Sequence, residues 1–145
     1  MRTADGQHQL SVPRGWKEDR SLHDKAEIQV ADAPEEMYAL VLTDGKDSSA
    51  GMDISKYAEA TREAFSKSLV SPQVGAPRWL SVNGASAIEC EIRGSVQNLD
   101  VIYLHTVVET PKHYHQVMAW TLKSQWERNK DTLQAVTESF RELSP

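Results

Sequence analysis

The chain has 145 residues, enough for one hydrophobic core of ordinary size. Its 39% hydrophobic and 26% charged content is that of a globular protein and excludes a disordered or fibrous one. Net charge is −5, from 16 basic and 21 acidic side chains without a basic cluster, which argues against nucleic acid or an anionic membrane as partner.

One cysteine, Cys90, excludes an intramolecular disulfide. No apolar run approaches the roughly 20 residues of a membrane span. The start, "MRTADGQHQL", is polar and is not a signal peptide. Two expectations follow: a cytoplasmic protein, or the mature form of an envelope protein whose leader has been removed.

In chain order, "HQLSVP" alternates, with Leu10 and Val12 on one face, and predicts a short strand stopped by Pro13. "PRGW" turns the chain and offers Trp16 as a plug for one end of the core. "AEIQVAD" predicts a second strand. "MYALVLT" is apolar at nearly every position, as in a central strand covered on both faces. A polar loop, "DGKDSSAGMD", leads into a helix over 54–69 with Asp53 as cap, and Pro72 ends the pattern.

"RWLSVNGASAIECEI" predicts a hairpin around Asn83-Gly84, the pair suited to a type I′ turn. Ile88, Cys90 and Ile92 alternate with Glu89, Glu91 and Arg93, giving an apolar face and a wet face. Cys90 reads as an inert packed thiol. "LDVIYLHTVVE" and "YHQVMAWTL" predict a second hairpin around "TPKH". The last helix, 125–143, opens at "SQWE", a capping box of Ser124 and Glu127, with Trp126, Leu133, Val136, Phe140 and Leu143 as its apolar stripe. Trp16, Phe65, Trp120, Trp126 and Phe140 are expected in the core, and Trp79 only partly covered.

About seven strands with short connections and two amphipathic helices predict an α+β sandwich, a mainly antiparallel sheet between two helices. It forms one domain over 1–145, with an ordered core of about 7–143.

Three of the five histidines lie within 103–122. With Thr110 opposite His113, His115 opposes Val108 and Met118 opposes His105. His113 and His115 then share a face and could hold one metal ion. His105 lies on the other face, as a hydrogen-bonded core residue. A zinc or iron site needs a third ligand, from His8, His23 or a carboxylate elsewhere. Without HExxH, CxxC or an Asp-rich loop, the reading adopted is two histidines at the exposed end of a hairpin, with no metal and no cofactor. A metal-binding protein or hydrolase using His113 and His115 is the alternative. No GxSxG elbow, P-loop or GxGxxG supplies another chemistry.

The order "LSVPRGW", "DISKYAEATREAF", "SVNGASAIECEI", "YHQVMAWTLKS" and "ESFREL" resembles the Mog1/PsbP/DcrB-like superfamily over roughly residues 7–143. The resemblance implies an α/β/α fold and a non-catalytic binding or assembly role. Its members include thylakoid-lumen photosystem subunits, a binder of the Ran GTPase, bacterial envelope lipoproteins and secretion-effector chaperones. A bacterial envelope protein, with a lipid anchor preceding this sequence, is the expected role. A cytoplasmic effector chaperone is the alternative. The partner is a protein or a small ligand. An open patch of sheet by Trp79, Tyr114 and Gln116 is the expected binding surface.

Overall fold

The computed structural model describes residues 6–49 and 51–143. Among the described residues, ten strands and two α-helices succeed one another: β1 His8–Gln9, β2 Lys17–Glu18, β3 Ile28–Asp32, β4 Met37–Gly45, α1 Ile54–Ser66, β5 Val70–Val74, β6 Arg78–Val82, β7 Ala85–Val96, β8 Leu99–Glu109, β9 His113–Leu122, α2 Trp126–Glu138 and β10 Arg141–Glu142. The main sheet is antiparallel, in the order β2-β3-β4-β9-β8-β7-β5. β6 pairs with the first half of β7 and β5 with its second half, so eight strands fill seven positions.

Both expected hairpins form. Asn83 and Gly84 have φ of 48° and 85°, the positive pair that a type I′ turn requires. The second hairpin has the expected register, with His105 opposite Met118 and Val108 opposite His115. β5 carries Pro72 inside a strand, which an edge position tolerates.

The helices cover opposite faces. α1 places Ile54, Tyr57 and Ala58 on Ile88, Val107 and Tyr114. α2 places Trp126, Leu133 and Val136 against Val30, Val41, Leu104 and Val117 on the other side. Cover on both faces explains Glu89. It is 3% exposed where a wet face was expected. Arg78 donates to its carboxylate at 2.8 Å, as do Thr106 at 2.8 Å and Gln134 at 3.1 Å.

Asp53 caps α1 by accepting from the Lys56 amide at 2.8 Å. The helix ends at Ser66, before Leu69, which still packs into the core on the loop that follows. α2 is shorter than the apolar stripe implied. A 3-10 turn, Lys123–Gln125, precedes it, so the capping box does not form. It stops at Glu138. The Ser139 hydroxyl donates to the Val136 carbonyl at 2.6 Å and accepts from the Ser11 amide at 2.9 Å. The chain then leaves the helix, and Arg141 and Glu142 pair with Gln9 and His8 in a two-stranded sheet of their own. Phe140 is buried on the way.

Trp16, Trp126 and Phe140 are in the core as expected. Phe65 and Trp120 are only half-buried. They border a groove that α1 leaves unfilled.

Candidate functional site

Two features of the molecule have the make-up of sites, one on each face of the sheet. The first is a histidine cluster at the end of the sheet not reached by α2. β9 opens with His113 and His115, side by side on the α2 face because alternate strand residues share a side. β1 and β10 close over this end and bring His8 and Glu142 to the same place. The His8 and His115 rings are 4.9 Å apart between centroids, and those of His113 and His115 are 5.7 Å apart. Phe140 packs on His115 at 4.8 Å and seals the inner side.

His115 has no exposed surface, which corrects the expectation of two histidines at a solvent-exposed hairpin end. That expectation followed from the turn at Pro111-Lys112. It failed because the two chain ends cover the hairpin. His113 remains about one-third exposed. The hydroxyls of Thr43 and Thr110 flank the His115 ring, 2.8 Å from Nδ1 and 2.8 Å from Nε2. With its one proton turned to Glu142, the Thr110 hydroxyl accepts from His115 Nε2–H, and the Thr43 hydroxyl donates to Nδ1. Thr110 also donates to Glu142 Oε2 at 2.9 Å. Burial, aided by the nearby His8 and His113, holds the His115 pKa down to about 3, so the ring is neutral near pH 7. His8 Nδ1 lies 2.8 Å from Glu27 Oε2.

His105 is where the sequence placed it, on the α1 face, 1% exposed, with Nε2 3.0 Å from Gln116 Oε1. His23 lies in a loop and pairs with Asp24 at 3.5 Å, so it takes no part in the cluster. Cys90 is buried, its thiol donates to the Gly75 carbonyl at 3.0 Å, and burial raises its pKa.

The second feature is a groove of about 500 Å³ on the α1 face. Leu40, Leu42, Met118 and Trp120 form its floor on β4 and β9, and Phe65 and Thr61 of α1 form a wall. Trp120 stacks on Tyr38 at 5.5 Å, and Tyr103 meets Phe65 edge-on at 4.7 Å. The floor is apolar because β4 and β9 are central strands. α1 lies across β7 and β8, which leaves Leu42 and Trp120 half-buried while Leu40 and Met118 stay buried.

The expected patch of Trp79, Tyr114 and Gln116 does not exist as one surface. The residues do share a face, and Trp79, Ile88, Val107 and Gln116 form one cross-strand row. α1, however, sits on Ile88 and Val107 and divides it. Tyr114 is 3% exposed, stacked on Tyr57 at 4.6 Å, with its hydroxyl donating to the Met52 carbonyl at 2.9 Å. Trp79 stands at the sheet edge, 63% exposed. Gln116 alone lines the groove. The sequence signal for the groove was weak: Leu42, Tyr103, Met118 and Trp120 look like ordinary core positions in their strands.

No family model matches the chain, and no curated protein matches it in sequence. Solved structures match it in fold. LpqN of Mycobacterium tuberculosis, involved in cell envelope biogenesis, superposes with a TM-score of 0.68 at 16% identity, over 94% of this chain and 83% of that one. Cyanobacterial PsbP (CyanoP) from Synechocystis sp. PCC 6803 gives 0.68 at 14% identity, over 99% and 91%. The Ran-binding protein Mog1p of Saccharomyces cerevisiae gives 0.67 at 10% identity, over 98% and 93%. At these identities the likeness concerns the fold, which is Mog1/PsbP-like, as the sequence signatures implied.

Proposed function

We propose that this protein is a non-catalytic binding or assembly module of the bacterial cell envelope, and that the α1-face groove receives apolar side chains of a partner protein. The groove is the observation that carries the reading. The half-buried rings of Phe65 and Trp120 border a groove whose remaining lining, Tyr103 and Met118 among it, is closely packed. Aromatic and methionine side chains dominate the anchors of protein interfaces. An open trough fits a chain segment laid along it better than an enclosed small molecule. Similarity in fold to a protein named for cell envelope biogenesis and to one named for binding Ran supports the role and the location. The buried chemistry agrees with it: the Cys90 thiol is held protonated and the His115 ring is packed between two threonines.

The test is site-specific photo-crosslinking in the native host. A crosslinker at Ser68, on the groove wall, is expected to capture a defined envelope protein. The Trp120→Ala variant is expected to lose that product, and a crosslinker at the exposed Lys56 to give none. Equal capture from both positions, or fractionation of the protein to the cytoplasm, would overturn the proposal.

A further inference from the structure

We infer that His8, His113, His115 and Glu142 form a binding site for a single divalent transition-metal ion of the zinc class, which ties both ends of the chain to the β8–β9 hairpin. The geometry centres on one atom, Glu142 Oε2. His113 Nδ1 lies 3.4 Å from it, His115 Nε2 3.5 Å and His8 Nε2 3.8 Å. These separations are long for hydrogen bonds, which have N···O of about 2.7–3.2 Å. They are close to the edges of a coordination tetrahedron. An ion with bonds of about 2.0–2.1 Å holds its ligand atoms about 3.3 Å apart. The ligand atoms of His8, His115 and Glu142 already lie within 4.8 Å of one another. Closing that set around an ion takes shifts on the order of 1 Å, within the reach of side-chain torsions.

Three further observations single out this cluster. His113 Nδ1 is buried and makes no hydrogen bond, an arrangement that a native fold seldom leaves without a purpose. The remaining nitrogens are supported as they are in metal sites. His8 Nδ1 lies 2.8 Å from Glu27 Oε2, and its Nε2 lies on the Glu142 side. His115 presents Nδ1 to Thr43 at 2.8 Å, and its Nε2, on the cluster side, meets Thr110 Oγ1 at 2.8 Å, a contact that an ion would replace. A carboxylate or hydroxyl behind a histidine orients the ring and raises its basicity. Thr110 holds the Glu142 carboxylate in place. Lastly, Thr110 and Glu142 line a surface cleft of about 700 Å³, so an ion has a path from solvent.

The donor set, three imidazoles and one carboxylate, suits zinc and its neighbours and not magnesium or calcium, which take mostly oxygen. The consequence is mechanical. β1 and β10 are two residues each, and they are held to one another by a short ladder. An ion shared by His8, Glu142 and the two β9 histidines crosslinks both chain ends to the central sheet. Binding to the folded chain alone also raises its stability, with the logarithm of free metal once the site is saturated.

The experiment uses the full chain, stripped with chelator and dialysed. Zinc is titrated against a chromophoric chelator, and cobalt is added to read coordination number from its visible spectrum. The expected result is one equivalent of zinc, the intense absorption of four-coordinate cobalt, and a melting temperature that rises with zinc. Glu142→Gln and His113→Ala alter partly exposed side chains and keep the core intact. Each is expected to weaken zinc more than tenfold while the metal-free melting temperature stays near that of the parent. His23→Ala should leave binding unchanged. Failure of the parent to bind one equivalent would overturn the inference, as would binding indifferent to Glu142→Gln and His113→Ala. This outcome is independent of the groove, which lies on the opposite face.

Discussion

Phe140 should be among the costliest side chains to truncate, and Phe65 should not. Both aromatics belong to predicted core stripes, but the structure separates them. Phe140 is 1% exposed, stacks on His8 at 6.2 Å, meets the tilted His115 ring at 4.8 Å, and shares a cluster with Leu10, Leu133 and Val136. A buried Phe ring removes on the order of 200 Å² from water, which at about 25 cal/mol per Å² is about 5 kcal/mol. Alanine keeps part of that area, while the cavity left behind adds a penalty. The expected loss for Phe140→Ala is therefore about 3–5 kcal/mol. Phe65 is half-buried on the groove wall and meets one ring edge-on, that of Tyr103. Its truncation leaves an enlarged groove that water can fill, so Phe65→Ala should lose about 1–2 kcal/mol. Urea denaturation followed by tryptophan fluorescence measures both, with equal m-values as the check on two-state behaviour. A loss under about 1 kcal/mol for Phe140→Ala, or a larger loss for Phe65→Ala, would refute this assignment of core and groove.

Three other outcomes follow from local geometry. A Cβ added at Gly94 would stand 2.9 Å from Leu69 Cβ and 3.0 Å from its Cδ1, so Gly94→Ala should destabilise by about 1–3 kcal/mol through overpacking, measured by the same melts; a neutral result would show that the loop after α1 yields freely. The Cys90 thiol, buried and raised in pKa chiefly by that burial, should resist an aromatic disulfide reagent at pH 8 in the native protein and react on unfolding; rapid native labelling would contradict its placement. Burial, above all, lowers the His105 pKa from 6.5 to about 4 against the opposing Gln116 hydrogen bond, with a smaller push from Arg62. The unfolded chain takes up that proton near pH 6.5 and the folded one near 4, so this contribution is present above the unfolded value and is lost as pH falls, by up to about 1.4 kcal/mol per unit. Urea melts between pH 7 and 5 should therefore show a shallower slope for His105→Gln than for the parent, and identical slopes would remove His105 as the cause.

The sequence by itself determined what depends on neighbours in the chain. Asn83-Gly84 sets a type I′ turn because few other pairs adopt two positive φ angles, and the register of β7 follows. Thr110 facing His113 places His115 opposite Val108, and two-residue periodicity then divides His105 from the other two histidines. Asp53 caps α1 through an amide three residues away. Tertiary structure alone decided the rest. Strand periodicity names two faces but not what lies on each, so Glu89 was expected in water and is buried under α2. The same limit made Tyr114 an exposed residue in the reading and a covered one in the fold, because helix position depends on packing across the whole sheet. The end of α2 followed suit. Phe140 keeps helical spacing with Leu133 and Val136, yet Ser139 turns the chain where Ser11 and β1 are waiting, 128 residues away in sequence. That long-range closure also carries Glu142 and His8 to the β9 histidines. A ligand set split between the two termini and one hairpin has no spacing to recognise, since each piece is ordinary until the ends of the chain meet.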